Sequence, residues 1–172
     1  MLPVSASDPL VSLSVRVVAT AEAPTSRPAV TAAIGRGVLR HLVQAGLAPL
    51  LEVPLPDGRR ADVMALAPDG RITIIEIKSC PADYLTDRKW QAYASFCDRF
   101  SFAVSAEFPL GLLPDEPGIL VADAYDAVQV RPMQTLTLAP ARRRSLHLRF
   151  ARLAALRTLG LVDDEQPVPA DP

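Results

Sequence analysis

Residues 72–78 form an apolar run that is interrupted by two opposite charges. The run reads Ile-Thr-Ile-Ile-Glu-Ile-Lys, and the period-2 alternation of a β-strand puts Glu76 and Lys78 on the same face. Burying charges in such a run costs free energy, so they need partners or a chemical task. Lys78 and Lys89 are the only lysines among 18 Lys and Arg residues, and a lysine is a compact point charge whose chemistry differs from that of arginine. This choice predicts that Lys78 serves chemistry rather than charge alone.

Two further carboxylates are expected beside Glu76. The tetrapeptide Pro-Asp-Gly-Arg occurs at 56–59 and again at 68–71, and each copy predicts a short hairpin loop with glycine at positive φ. If each loop has three residues, Glu52 lies opposite Asp62, and Asp62 lies opposite Glu76. Like charges directly opposite one another destabilise a sheet, which argues for a cation between them, and all-oxygen ligands favour Mg²⁺ or Mn²⁺. A two- or four-residue loop would shift every partner and move one acid to the other face.

The same residues also have a purely structural interpretation. Glu76 and Lys78 would then form ordinary ion pairs on a solvated sheet face, and Asp62 would be a surface residue near a turn. The isoleucine-rich flanks and the scarcity of lysine favour the buried site over this alternative.

The elements that must position these residues follow from periodicity and punctuation. A first helix begins at Thr25 or Ser26, carries Pro28 in its first turn and ends at Gly46. The order α-β-β-β-α-β-β-α predicts an α/β fold with a mixed central sheet flanked by helices. The predicted strands are 49–55, 60–67, 71–78, 100–104 and 118–122, with 128–131 as one more edge strand, and the later helices are 87–97 and 140–159.

Composition is that of an ordinary globular protein of single-domain length. The chain has 172 residues, 49% of them hydrophobic, and a formal net charge of -1. Residues 25–160 are predicted to form one domain, preceded by a poorly ordered or short-strand segment at 1–24 and followed by an acidic, proline-rich tail at 161–172. The two cysteines, Cys80 and Cys97, fit neither a zinc site nor a disulfide framework. No signal peptide or membrane span is recognisable, so a cytoplasmic location is expected.

The C-terminal third concentrates positive charge. From Ala127 to Val162 there are seven arginines and no acidic residue. Such a surface suits phosphate contacts; the alternative is a solvated helix face that balances acids elsewhere in the chain. The candidates for nucleic-acid contact on the last helix are Arg142, Arg143, Arg144 and Arg149.

Longer motifs resemble known families. Asp62, followed after thirteen residues by Glu76-Ile77-Lys78 and flanked by helices, resembles the motif of the PD-(D/E)XK nuclease superfamily, which implies a restriction-endonuclease-like core. Over about residues 27–157 the chain more closely resembles the MmcB family of bacterial DNA repair proteins. The segments that carry this likeness are GRRADVMAL at 58–66, EIKS at 76–79, DRKW at 87–90, FCD at 96–98, ADAY at 122–125 and ARRR at 141–144.

The resemblance implies roles for individual residues. Asp62, Glu76 and the backbone carbonyl of Ile77 would hold Mg²⁺ or Mn²⁺, with Glu52 as an additional ligand. Lys78 would orient or activate the attacking water and offset charge that develops on the phosphate. A metal ion in this position polarises the phosphoryl oxygen and supplies a hydroxide-like nucleophile near neutral pH.

The resemblance also implies a role in DNA repair, with two alternatives for its chemistry. The first is metal-dependent hydrolysis of structure-specific or damaged DNA, with Gln91 on the following helix as a further catalytic residue or simply a surface residue. The second is a catalytically weak or inactive module that binds DNA or other repair proteins on the same fold. DNA is the expected partner in both cases, and a membrane in neither.

Overall fold

The architecture is an α/β fold in which helices flank a six-stranded mixed sheet. It is consistent with a restriction-endonuclease-like core, so the predicted fold class is confirmed. The computed structural model describes residues 26–86 and 90–160; Thr25 and the predicted segments 1–24 and 161–172 lie outside the described residues. The elements are α1 (Arg27–Gln44), β1 (Ala48–Pro54), β2 (Arg60–Leu66), β3 (Ile72–Lys78), α2 (Pro81–Thr86), a 3₁₀ helix (Trp90–Phe96), β4 (Arg99–Val104), a short 3₁₀ turn (Leu110–Leu112), β5 (Gly118–Ala122), β6 (Ala127–Arg131) and α3 (Pro140–Thr158).

The sheet combines antiparallel hairpins with parallel crossovers. Its spatial order is β1-β2-β3-β4-β5-β6. β1, β2 and β3 are successively antiparallel, β4 lies parallel to β3, β5 lies parallel to β4, and β6 closes the edge antiparallel to β5. All seven residues of β3 are buried, as expected for a strand covered on both faces. Glu76 and Lys78 are therefore placed in the interior of the protein.

Both hairpins have the predicted three-residue loops. Gly58 and Gly70 adopt φ values of +84° and +81°, a region that glycine enters without steric cost. The N–H of Leu55 donates to the carbonyl of Arg59 at 2.8 Å, and the second hairpin repeats this bond between residues 67 and 71 at 2.9 Å. The predicted register is therefore confirmed.

Two helices cover the two faces of the sheet. α1 begins at the N-cap Ser26, whose hydroxyl accepts the N–H of Ala29 at 3.4 Å. It buries Ile34 and Val38 against one face. α3 packs on the other face through buried residues that include Leu146. The carboxylate-bearing ends of the strands lie between these two layers.

The predicted α-helix at 87–97 is wrong over residues 90–96, and residues 87–89 lie outside the described part of the chain. Pro81 begins the separate short helix α2, since proline is favoured in the first helical turn. Residues 90–96 form a 3₁₀ helix instead. This helix has three residues per turn, so residues three apart lie on one face. Trp90, Tyr93 and Phe96 have this spacing, and all three pack against the core.

Candidate metal and catalytic site

Asp62 and Glu76 are held at the point where the β2–β3 ladder ends. The last pair in the register places Val63 opposite Ile75. Asp62 and Glu76 lie one residue further along their strands. The N–H of Asp62 donates to Oε1 of Glu76 at 3.3 Å, and the N–H of the next residue on β3, Ile77, donates to Oδ2 of Asp62 at 2.7 Å. Each carboxylate is therefore fixed by the backbone of the opposite strand.

Burial rules out the solvated interpretation of the two charges on β3. Only 4% of Glu76 and 5% of Lys78 is exposed. Tyr93 of the 3₁₀ helix hydrogen-bonds Glu76 and also donates to the carbonyl of Arg60 at 3.3 Å. The acid and the lysine belong to an enclosed polar group.

The electrostatics of this group favour an added positive charge. Burial, reinforced by the charge of Asp62, raises the pKa of Glu76 to about 8. Burial also raises the pKa of Asp62, although the N–H of Ile77 and the charge of Lys78 lower it in part. A cation between the two carboxylates would favour their ionised forms and offset these shifts.

The alternation of side chains between the two faces of β1 is interrupted beside Asp62 and Glu76. Among the described residues, Glu52 is the one non-glycine with positive φ, at +49°. Leu50 and Val53 pack against the same core cluster, although residues three apart in a regular strand face opposite sides. The guanidinium of Arg157 on α3 donates to the carbonyls of Leu51 and Glu52, the latter at 3.2 Å. The bend in β1 is thus held by α3.

The structure does not bring Glu52 into a three-carboxylate ligand set. Its carboxylate forms an ion pair with Arg60, and its pKa is raised by burial and by the charge of Asp62. Within residues 26–86 and 90–160, no group of three or more His, Cys, Asp or Glu side chains is placed to hold a metal ion. The register does set Glu52 beside Asp62, but the local backbone turns it toward a cationic partner.

Gln91 lies elsewhere on the same face of the sheet. It is exposed on the 3₁₀ helix and lines a cavity of about 320 Å³ together with Trp90 and Phe100. Among the described residues it does not join the hydrogen-bonded pair of Asp62 and Glu76. The reason is that the 3₁₀ spacing turns Tyr93, rather than Gln91, toward Glu76.

Comparison with known proteins agrees with this architecture. Residues 19–165 match the family described as MmcB-like DNA repair proteins. The chain belongs to the MmcB-like family. The solved structure of a Silicibacter pomeroyi protein of unknown function is similar, with 48% identity and a TM-score of 0.71, and the match covers 82% of this chain and 97% of that one. No curated protein is significantly similar to the chain.

In this MmcB-like protein, the predicted nucleic-acid contacts Arg142 and Arg143 bind other parts of the chain. Arg143 pairs with both carboxylate oxygens of Asp98, at 2.5 and 2.6 Å, and donates to the carbonyl of Gly70 at 3.2 Å. Arg142 donates to the carbonyl of Ser95 at 2.8 Å, and its guanidinium lies over the Phe96 ring. Both contacts arise because the first turn of α3 packs over the 3₁₀ helix and the β2–β3 loop.

The other two predicted contacts differ in exposure. Arg144 is exposed on α3, and Arg149 is half-buried. Arg142 is exposed as well, although its guanidinium is engaged with Ser95 and Phe96. Arg142 and Arg144 therefore have the surface position that a phosphate contact requires, and the motif ARRR does not by itself distinguish them from Arg143.

Several residues around Asp62 and Glu76 were not predicted from the sequence to belong to the site. For Tyr93, the three-residue spacing of the aromatics at 90, 93 and 96 is the signal that could have placed it. Asp83 in α2 accepts the N–H and the hydroxyl of Ser79, both at 3.3 Å, and its charge raises the pKa of Asp62. Arg60 pairs with Glu52 across the β1–β2 hairpin, whereas Arg157 reaches β1 from a distant segment, for which no local pattern exists.

Both cysteines are unpaired thiols, as predicted, with Cys97 buried and Cys80 partly buried. Within residues 26–86 and 90–160, none of the helices combines the length and the apolar character that a bilayer span requires.

Proposed function

We propose that this MmcB-like protein is a PD-(D/E)XK-type nuclease that hydrolyses DNA phosphodiesters with one Mg²⁺ or Mn²⁺ held by Asp62 and Glu76. The observation that carries the proposal is the pair of carboxylates locked across the end of β2 and β3 beside the buried Lys78. Membership in a DNA repair family supports DNA as the substrate.

The residues present fit a small divalent cation. Mg²⁺ typically keeps several waters and takes only one or two carboxylates from the protein. A strand residue directs its N–H and its C=O toward the same neighbouring strand, so the carbonyl of Ile77 would face the gap into which its N–H donates. Two carboxylates and one carbonyl make an all-oxygen ligand set of the kind that suits this cation.

Each group at the site would have a separate role in hydrolysis. A bound divalent ion would polarise the phosphoryl oxygen and lower the pKa of a coordinated water. Lys78 lowers the pKa of both carboxylates through its charge, and in this proposal its ammonium would orient a water and offset charge on the phosphate. Tyr93 fixes the orientation of Glu76, and Glu52 and Arg60 set the charge at the rim.

The proposal includes the biological setting. The substrate would be structure-specific or damaged DNA, processed in the cytoplasm together with other repair proteins. DNA repair, as the family's description, supports this setting.

A second candidate is a module that binds DNA or a repair partner without efficient cleavage. The pairing of Glu52 with Arg60 favours it, because this pair leaves two acidic side chains rather than three at the site. Replacing Lys78 discriminates between the candidates, since only a nuclease would lose an activity on that change.

The deciding experiment is a cleavage assay on single-stranded, nicked and branched DNA with Mg²⁺ or Mn²⁺. We expect the wild type to cut at least one substrate, and Glu76→Ala and Asp62→Asn to cut none. Asp69→Asn, in the exposed second hairpin loop, is the matched control and should cut normally. The proposal fails if the wild type cuts none of the substrates and binds metal no better than Glu76→Ala.

A further inference from the structure

A cavity of about 320 Å³ opens between the 3₁₀ helix, the start of β4, the loop before β5 and the segment after β6. Its wall includes the rings of Trp90 and Phe100, the side chain of Leu136, and the exposed carboxamides of Gln91 and Gln134. The nuclease chemistry proposed above uses none of these groups. A concave apolar site with a few polar groups at its edge is the usual form of a small-ligand pocket.

The aromatic side chains form a layered platform. The Trp90 and Phe100 rings are stacked, with centroids 5.7 Å apart and planes inclined by 21°. Tyr93 stacks on Phe100 with the same separation and an inclination of 15°. Trp90 is only half-buried, so part of its surface faces the cavity. Such platforms bind nucleobases by stacking in proteins that hold single-stranded nucleic acid.

The polar groups at the rim suit the edge of a base rather than a phosphate. A carboxamide offers both donors and acceptors, which matches the mixed hydrogen-bonding pattern of base edges. The exposed carboxylate of Glu116 also lines the cavity. A negative charge there would repel phosphate and could accept a hydrogen bond from an N–H group on the edge of a base, such as N3–H of thymine.

The cavity lies close to the carboxylate pair. Phe100 pairs with Ile74, two residues before Glu76 on the neighbouring strand, which corresponds to a separation of roughly 8 Å from the rise and spacing of strands. Tyr93 connects the two regions, because it stacks on Phe100 and hydrogen-bonds Glu76. A base in the cavity would belong to a nucleotide near the phosphodiester held at the site.

We infer that this cavity binds an unpaired nucleobase of the DNA strand whose backbone lies at Asp62 and Glu76. The inference rests on the proposed function and makes it more specific, because it selects single-stranded or unstacked DNA over intact duplex. An unpaired base is available for stacking, whereas a base in a duplex must first be unstacked.

Trp90 is the only tryptophan in the chain, so its emission reports directly on the cavity. The test titrates the Glu76→Gln protein, which preserves the DNA, with an oligothymidylate, with a duplex of equal length and with an abasic oligonucleotide. We expect a saturable change of emission with the oligothymidylate and little change with the other two. Labelled-DNA anisotropy on the same samples measures binding independently.

Two variants complete the test. Trp90→Ala should weaken oligothymidylate binding by about 5- to 150-fold, the range found for loss of a stacking aromatic, whereas Trp90→Phe, which keeps a ring, should retain most of the affinity. Their thermal unfolding shows whether each protein is folded.

Three results would overturn the inference. They are unchanged Trp90 emission at saturating DNA, equal responses to abasic and thymidine strands, and no DNA binding at all. Cleavage by the wild type alongside such a result would leave the nuclease proposal standing, and stacking without cleavage would refute only the nuclease.

Discussion

Glu76 is placed where its charge costs stability in the metal-free protein. It is almost wholly buried, faces the like charge of Asp62, and has a pKa raised to about 8 by burial and by that charge. Groups with shifts of this kind are concentrated at functional sites. The stability of the metal-free fold therefore favours a neutral side chain at this position, whereas the proposed cation binding favours an ionised one.

Glu76→Gln should stabilise the metal-free protein and abolish cation-dependent stabilisation. Glutamine keeps the shape but cannot ionise, so at pH 8 we expect a higher melting temperature, by about 2–4 °C for each kcal/mol gained. The sign of the pH dependence follows from the raised pKa: the folded wild type binds a proton that the unfolded chain has lost, so its stability falls as the pH rises from about 4.5 to 8.

Thermal melts of the wild type and Glu76→Gln between pH 5 and pH 9, with EDTA and with Mn²⁺, measure this effect. In EDTA the two curves should diverge as the pH rises, and Mn²⁺ should raise the melting temperature of the wild type alone. Parallel curves would show that Glu76 is not the buried titrating group.

Lys78→Met should abolish cleavage while leaving DNA affinity within about twofold, because removing one interaction made mainly in the transition state lowers the rate rather than binding. Lys78→Arg is the informative companion. It keeps the charge but replaces a compact ammonium with a planar fork, so it should restore little of the rate. Single-turnover rates and anisotropy on one DNA separate the two effects, and full activity of Lys78→Arg would show that charge alone suffices.

The sequence predicted the register that sets Asp62 against Glu76, because this pairing depends on local rules. Alternation within β3 and the two Pro-Asp-Gly loops are enough to set Asp62 against Glu76. The partners of Glu52 and Arg143 were not predictable in this way, because Arg157 and Asp98 reach them from distant parts of the chain.

At the scale of elements, the ends of β3 and β4 are joined to α3 through one acid. Asp98 is 3% exposed, accepts the N–H of Ile72 at 2.8 Å and pairs with Arg143. Burial raises its pKa, but the bonds from Arg143 and Ile72 outweigh burial and lower it overall. The same helix binds the bent part of β1 through Arg157, so α3 spans the face that carries the carboxylate pair.

Asp98→Asn should destabilise the protein by roughly 2–4 kcal/mol, a little below the usual cost of breaking a fully buried pair, because Arg143 is partly exposed. Because the pKa of Asp98 is lowered, its contribution is present near neutral pH and is lost as the pH falls through the acidic range. Urea unfolding at pH 7 and at pH 3 should therefore show a large difference between wild type and variant at pH 7 and a small one at pH 3. An equal difference at both pH values would contradict the role of this ion pair.

At the scale of the molecule, the net charge of -1 conceals segregation along the chain. α3 carries arginines along its length, and Arg143 and Arg157 are fourteen positions apart, which corresponds to about 20 Å of helix. Its C-terminal end lies at the bend in β1 beside the carboxylates, and its N-terminal end lies at the β2–β3 loop. A DNA strand at the site would have to extend about 20 Å to reach Arg144.

Arg144→Gln and Arg143→Gln should have separable effects. For Arg144→Gln, which alters an exposed residue, we expect weaker DNA binding, a slope of log affinity against log salt smaller by about one, and unchanged stability. For Arg143→Gln we expect lower stability with a nearly unchanged salt slope. Salt-dependent anisotropy paired with thermal melts distinguishes them; identical effects of the two changes would mean that the two arginines have the same role.

Asp62 and Glu76 are proposed to act together as a site for one divalent cation, and the nuclease function depends on it. Titration of the metal-free protein with Mn²⁺ at pH 7.5, followed by electron paramagnetic resonance, tests this directly. We expect one bound Mn²⁺ per chain in the wild type and in Asp69→Asn, and none at the same concentration in Asp62→Asn or Glu76→Gln. Binding that persists in both site variants, or that is absent from the wild type, would contradict the account.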